Sequence, residues 1–271
     1  MNKYTVEIIG CGRKGATADA PGSGNEHKHL SYAHACMAHP GFEIVDFGDN
    51  NRGQWEKAYE TWGVMPRAVE RDVYIIATPD NAHYEYLLRI ASMPKGSKPK
   101  LVICEKPLCE KVEEAEEIVK LYHDAGIPLM VDYTRRFVPY WKDMRNRRNP
   151  AGQFLHGYCV YNRGALHTLS HFVDTALWFN GNVDNIDVTE IAPDYQWVYQ
   201  WGLFFEHDFF SEMSANRAHG EAPNPIYDNH TLHVMEAAYQ HLEYGTPLPC
   251  TGMDALLALK ATHAIMERGK G

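Results

Sequence analysis

The sequence predicts an α/β protein in which a doubly wound parallel sheet comes first and a smaller α+β unit follows. Three observations predict it. Five short, β-branched, nearly continuous apolar runs recur through residues 4–134, the pattern of strands buried on both faces. Helical stretches lie between them, and strands alternating with helices indicate parallel pairing. The first run ends in GCGRKG (10–15), a G-x-G-x-x-G turn.

Taken in order, the strands are expected at YTVEIIG (4–10), FEIVDFGD (42–49), DVYIIATPD (72–80), KLVICEKP (100–107) and PLMVDYT (128–134). The clearest helix is CEKVEEAEEIVKLYHDAG (109–126). Val112, Ala115, Ile118, Val119 and Tyr122 form one stripe, glutamates cover the rest as a solvated face, and Gly126 and Pro128 stop the helix. Further on, NVDNIDVTEIA (182–192), YQWVYQWGLFF (195–205) and HDFFSEMSANR (207–217) read as strands. NHTLHVMEAAYQHLEYG (229–245) and TGMDALLALKATHAIMERG (251–269) read as helices.

Composition narrows the classes. The chain has 271 residues, 45% apolar and 23% charged, which suits a globular protein with a real core. A net charge of −9 argues against general nucleic-acid binding, which needs a broad basic surface. No apolar run reaches the ~18 residues of a membrane span, and no signal-peptide pattern opens the chain. The six cysteines are scattered without a CxxC pair, as thiols in a reducing compartment usually are, so a cytoplasmic protein is expected.

The glycine motif has a physical reading. Gly10 allows a tight turn, Gly12 allows a pyrophosphate to approach the backbone, and Gly15 lets the next element pack closely. An acidic residue usually follows about 20 residues on, whereas Asp49 comes 39 residues after Gly10. The excess is ATADAPGSGNEHKH (16–29), an inserted loop that reads either as a flap over a cofactor or substrate or as a surface loop without a role. Asp49 would bond an adenosine ribose and favour NAD. Arg13 and Arg52 would neutralise a 2′-phosphate, which leaves NADP open.

At TPDNAHYEYLL (78–88) and CEKPL (104–108) the pattern becomes specific. With GCGRKG, these segments resemble the glucose-fructose oxidoreductase / inositol dehydrogenase / rhizopine catabolism (Gfo/Idh/MocA) family of oxidoreductases. YTRRFVP (133–139) is similar to the family's passage into its second domain, and GTPLPCTGMDALLALKATHAI (245–265) to its C-terminal helix. The resemblance implies a dinucleotide-binding Rossmann domain over residues 1–133. It implies a substrate and oligomerisation domain over 134–271, with an open, mostly antiparallel sheet that is trimmed here. The cofactor-binding set it implies is Gly10, Gly12, Arg13, Lys14, Gly15, Asp49, Asn50, Arg52, Thr78, Pro79, His83, Glu105 and Lys106. Pro107 keeps Lys106 extended at a strand end, where ligands bind in open α/β sheets.

GALHTLSHFVD (164–174) spaces His167, His171 and Asp174 along one helix face. The resemblance places His171 on the family's catalytic histidine and His167 where the family has aspartate. Lys106, His171 and His167 are thus the expected catalytic set, with His167 also toward substrate. A zinc site is the other reading of the spacing, but Thr168 stands where HExxH has glutamate, and no metal is expected. RRFVPYWKDMRNRR (135–148) has six basic residues and one acidic. It reads as a solvated helix face, or as Arg135 or Arg136 binding an anionic substrate. The resemblance thus implies an NAD(P)-dependent oxidoreductase acting on a sugar-like hydroxyl. The rival is a non-catalytic dinucleotide sensor or scaffold, favoured by His167 and by the trimmed second domain. A homo-oligomer stays open, because family dimers pair through the sheet that is trimmed here.

Overall fold

The computed structural model describes residues 3–146, 154–161, 165–181, 199–205, 209–214 and 227–268. The strand expected at 182–192 lies outside them. The five N-terminal strands are β1 (Tyr4–Ile9), β2 (Phe42–Gly48), β3 (Val73–Ile76), β4 (Leu101–Glu105) and β5 (Leu129–Asp132). They form one parallel sheet in the order β2-β1-β3-β4-β5. Their apolar runs are buried as expected: Val73, Tyr74, Ile75 and Ile76 of β3 are all in the core. Because β1 pairs with β2 on one side and β3 on the other, the order reverses at β1. A crevice therefore opens at the C-terminal ends of β1 and β3.

Four helices connect these strands: α1 (Tyr32–Ala38), α2 (Arg52–Trp62), α3 (His83–Ala91) and α4 (Val112–Ala125). Asn51 caps α2, its side chain accepting from the amides of Gly53 and Gln54. In α4, Ala115, Ile118 and Tyr122 are buried, and the helix ends at Gly126 with φ +66°. After β5 come α5 (Pro139–Asn146), β6 (Phe154–Tyr161), a turn at Ala165–Leu169 and α6 (Ser170–Asn180). Strands β7 (Tyr199–Phe205) and β8 (Phe209–Ser214) follow, then helices α7 (His230–Tyr244) and α8 (Gly252–Arg268). The strands β6-β7-β8 make an antiparallel sheet. Sequence reasoning had not placed β6; its tyrosines and Val160 are strand formers, but Gly157 interrupts them.

The large core draws on both sides of position 134. Val234, Met235 and Ala238 of α7, with Ala255, Leu256, Ala258 and Leu259 of α8, are buried in one cluster with the five-stranded sheet. Parallel strands need cover on both faces, and α7 and α8 contribute to it: α7 packs on α1, and α8 on α4 and β5. Among the described residues no helix is long and apolar enough to cross a membrane.

The loop expected at 16–29 is pinned at both ends. After the glycine turn the chain makes a single helical turn, Arg13–Thr17, and then leaves the helical path. Asp19, almost fully buried, accepts from the amides of Leu30 (2.6 Å) and Ser31 (3.1 Å) and pairs with the Ser31 hydroxyl and His34 Nδ1. The far end docks on the start of α7. Lys28 pairs with Asp228 at 3.1 Å, His29 Nδ1 lies 2.7 Å from Asn229 Oδ1, and the Thr231 hydroxyl donates to the Leu30 carbonyl. The insertion thus ties the first half of the chain to the second. Asp19→Ala removes a buried acceptor and leaves two buried amides short of a partner. It should lower stability by about 1–3 kcal/mol and speed proteolytic cutting within residues 20–29. Unchanged thermal unfolding and cutting would show that the staple is not what holds the loop.

Candidate active site

The glycine turn sits at the crevice. Gly10 has φ +97°, and a Cβ there would lie 2.5 Å from the Ala77 carbonyl oxygen. A Cβ on Gly15 would fall 1.7 Å from the Gly10 oxygen, so the turn closes on itself only with glycine. Gly12 is different: a Cβ there meets only Gln54 Oε1, at 3.9 Å, so its backbone faces open space. At the end of β2, Asp49 accepts from the Cys11 amide (2.6 Å) and the Asn51 amide (2.7 Å), which fixes its carboxylate beside the turn. Arg13, Asn50 and Arg52 are exposed, and Arg52 pairs with Glu56 at 2.7 Å.

Beyond β3 and β4, Thr78 and Pro107 are bound together through His83. Its Nδ1 lies 2.8 Å from the Pro107 carbonyl and its Nε2 3.0 Å from the Thr78 carbonyl. Burial lowers the His83 pKa, and a neutral ring donates from one nitrogen only. His83, expected in the cofactor set, is fully buried and bridges the two loops. Pro79 is exposed beside it, and the Thr78 hydroxyl is buried with no hydrogen-bond partner.

Lys106 follows β4 and is 8% exposed. Its Nζ donates to the His167 carbonyl at 3.1 Å and lies 3.3 Å from His167 Nδ1. Burial pushes the Lys106 pKa down, which favours the neutral amine. His167 is exposed on the turn before α6. His171, in the first turn of α6, sets its ring edge-on to Tyr133 with the centroids 6.0 Å apart. Burial, followed by the charges of Lys106 and Arg135, holds its pKa well below the usual value, so it is neutral. The face shared by the two histidines thus meets Lys106 directly at His167.

Asp174 has another partner. Arg136, 4% exposed, meets its carboxylate at 2.9–3.1 Å and also pairs with Asp254 at 3.1 Å. Arg136, expected to reach substrate, is therefore spent on joining the start of α5 to α6 and α8. Burial raises the Asp174 pKa to about 6, against the pull of Arg136. Arg135 is also buried, with its guanidinium 6.0 Å from the Tyr227 ring. Among the described residues no group of three His, Cys, Asp or Glu side chains is placed to hold a metal.

Sequence reasoning missed a polar cluster at the same edge. Lys14, expected toward phosphates, turns inward. Its Nζ lies 3.0 Å from Asp132 Oδ2, 3.4 Å from Glu105 Oε1, 2.8 Å from His230 Nε2 and 3.1 Å from Thr231 Oγ1. The Tyr32 hydroxyl lies 3.1 Å from Glu105 and 3.0 Å from Asp132. Burial opposes the Lys14 charge, but Asp132 and Glu105 outweigh it and raise its pKa. The one legible signal was the exposed-type residue Asp132 closing an apolar strand.

A parallel sheet with a glycine turn at its switch point defines a dinucleotide-binding Rossmann domain. Residues 5–133 match the model of the oxidoreductase family with an NAD-binding Rossmann fold, Gfo/Idh/MocA. The rhizopine catabolism protein MocA of Rhizobium meliloti is 31% identical over 146 residues, 54% of this chain and 42% of the relative. The scyllo-inositol 2-dehydrogenase (NAD(+)) of Bacillus subtilis is 29% identical over 147 residues, 50% of this chain and 41% of the relative. The matches thus span less than half the length of these curated relatives. The WlbA dehydrogenase of Bordetella pertussis, solved with NADH and UDP-GlcNAcA, shares the fold. It has a TM-score of 0.72 at 17% identity, covering 99% of this chain and 97% of that one. A myo-inositol dehydrogenase of Corynebacterium glutamicum does so with a TM-score of 0.70 at 15% identity, covering 99% and 97%.

Asp174→Ala strands a buried guanidinium. It should cost about 3–5 kcal/mol, read by urea unfolding, whereas Arg136→Met with Asp174→Leu should recover much of that loss. A single variant as stable as the parent would return Arg136 to the substrate side.

Proposed function

We propose that the chain is an NAD-dependent oxidoreductase acting on a CH–OH group of a sugar, cyclitol or sugar-derived substrate. The observation that carries this reading is the Lys106 amine: desolvated, at the C-terminal end of the sheet, and in contact with His167. The residues fit a nicotinamide dinucleotide on two counts. Gly12 faces open space that a side chain would fill, and the buried Thr78 hydroxyl lacks a partner at the same edge. Gly10, Gly12 and Gly15 would hold the pyrophosphate, Asp49 the adenosine ribose, and Thr78 and Lys106 the nicotinamide end. When bound, the nicotinamide supplies hydride acceptance or donation.

The side chains then have separable tasks. Neutral Lys106 takes the hydroxyl proton in the oxidative direction and returns it in the reductive one. His167, within reach of that amine and exposed to the cleft, passes the proton on toward solvent. His171, held neutral, can accept a hydrogen bond from substrate without adding charge. Asp49 supports NAD over NADP, because a 2′-phosphate would face its carboxylate and Arg52 is already paired with Glu56. A dinucleotide sensor is the second reading, favoured by a histidine at 167 where the family resemblance expects an aspartate.

Calorimetry should show NADH binding more tightly than NADPH, and Gly12→Val should abolish it. With a panel of cyclitols and sugars, Lys106→Met should lower kcat by ~10² to 10⁴ while leaving NADH binding in place. His167→Asp should change the pH dependence of turnover, since imidazole titrates near neutrality and carboxylate well below. NADH binding without turnover on any of the panel would favour the sensor; absence of binding to either dinucleotide would end both readings.

A further inference from the structure

The cluster around Lys14 does not balance as a set of fully ionised groups. A phenol has one proton, yet the Tyr32 hydroxyl lies 3.0 Å from Asp132 Oδ2 and 3.1 Å from Glu105 Oε1. Were both carboxyls ionised, one of these oxygen–oxygen contacts would hold no proton and would be repulsive. Lys14 does not fill the gap. Its three N–H groups have closer acceptors in His230 Nε2 (2.8 Å), Asp132 (3.0 Å) and Thr231 Oγ1 (3.1 Å), with Glu105 farthest at 3.4 Å. His230 offers Nε2 as an acceptor because its Nδ1–H donates to the Tyr227 carbonyl at 2.7 Å. Thr231 offers a lone pair because its own proton goes to the Leu30 carbonyl at 2.9 Å.

A single proton on the carboxyl pair satisfies every contact, and the closer Lys14 and the Thr134 hydroxyl favour the negative charge on Asp132. Glu105 carries a proton and donates it to the Tyr32 oxygen. Tyr32 donates to Asp132, and Lys14 donates to Asp132, His230 and Thr231. Asp132 is then the anion, steadied also by the Thr134 hydroxyl at 3.2 Å. The direction of each titration agrees with that inventory. Burial raises the Glu105 pKa to about 7, the Asp132 pKa is lowered by Lys14 and His230 against its burial, and burial and Lys14 lower that of His230 to about 4.

We propose that Tyr32 and Asp132 hold Glu105 as a neutral acid, and that this neutrality spares the adjacent Lys106 amine an anion that would hold a proton on it. Glu105 is thus a positioning residue for Lys106, and Tyr32 is the hydroxyl that sets it. The inference rests on the reading of Lys106 as the proton acceptor. Its physical basis is Coulombic: an ionised Glu105 next along the chain would draw a proton onto Lys106, and in a half-desolvated site that attraction is weakly screened. The groups facing Glu105 are Lys14 from the turn after β1, Tyr32 from α1, Asp132 from β5 and Lys106 from its own strand end. Lys14, and Lys106 whenever it is protonated, favour ionisation. The phenol, the burial and Asp132 oppose them.

Two titrations of the full chain test this. Infrared difference spectra should show a protonated-carboxyl band on the acid side of neutrality that fades as pH rises past about 7 and is missing from Glu105→Gln. Carbon-13 NMR should show the Lys106 amine titrating at the same pH in Glu105→Gln as in the parent, because the amide stands in for a carboxyl that carries its proton. Glu105→Asp, which shortens the reach to Tyr32 but keeps the charge, should move the Lys106 midpoint upward. No carboxyl band above pH 5, or a Lys106 midpoint that falls in Glu105→Gln, overturns the proposal. A merely structural Glu105 would alter thermal unfolding while Glu105→Asp left the Lys106 midpoint unmoved. Should the chain turn over no hydroxyl substrate, the oxidoreductase reading fails, while the two titrations still decide where the proton resides.

Discussion

The lysine that leaves water behind the glycine turn organises the cleft. Moving an ammonium into a half-closed site is unfavourable unless opposite charge and hydrogen bonds replace its hydration. Lys14 finds that replacement in Asp132 at the end of β5, and in His230 and Thr231 at the start of α7. Tyr32 of α1 and Glu105 of β4 complete the shell. Elements far apart in sequence are therefore held by one charge. Helix α7 is fixed against the first sheet at the same point where the inserted loop, stapled by Asp19, meets it.

The site follows from that arrangement. In an open α/β sheet the crevice at the switch point opens outside the C-terminal strand ends, so ligand-facing groups collect there. Gly12, Asp49, Thr78 and Lys106 follow β1, β2, β3 and β4 in turn. Their different burial gives them different work. Asp49 is held by backbone amides, Thr78 keeps an unsatisfied hydroxyl, and burial lowers the Lys106 pKa. The basic groups nearby are sorted in the same way. Arg136 is paired with Asp174 and Asp254, whereas Lys106 meets His167.

Strands and the α4 helix were legible because their signals are local. A run such as VYII can be buried only as an inner strand, and the stripe through Ala115, Ile118 and Tyr122 has the period of a helix. The glycine turn was legible for the same reason: its steric demands lie within six residues. What could not be read was partner choice across the fold. Lys14 lies within a phosphate-binding motif, and nothing near it in sequence points to Asp132 or His230. Arg136 stands beside Arg135 in a basic stretch, and only the packing of α6 and α8 separates their roles. His83 carries a family motif but is sealed between two carbonyls. The helices α7 and α8 were seen as helices, whereas their share in the first sheet's core depends on contacts more than a hundred residues apart.

The central claim is that the crevice at β1 and β3 receives a dinucleotide with its reactive end beside Lys106. A crystal structure of the chain grown with NADH tests it most directly. The account predicts the pyrophosphate against the backbone of Gly10 and Gly12, the adenosine ribose at Asp49, and the nicotinamide on the side of Thr78 and Lys106. Dinucleotide bound elsewhere, or bound with its nicotinamide turned away from Lys106, would contradict it.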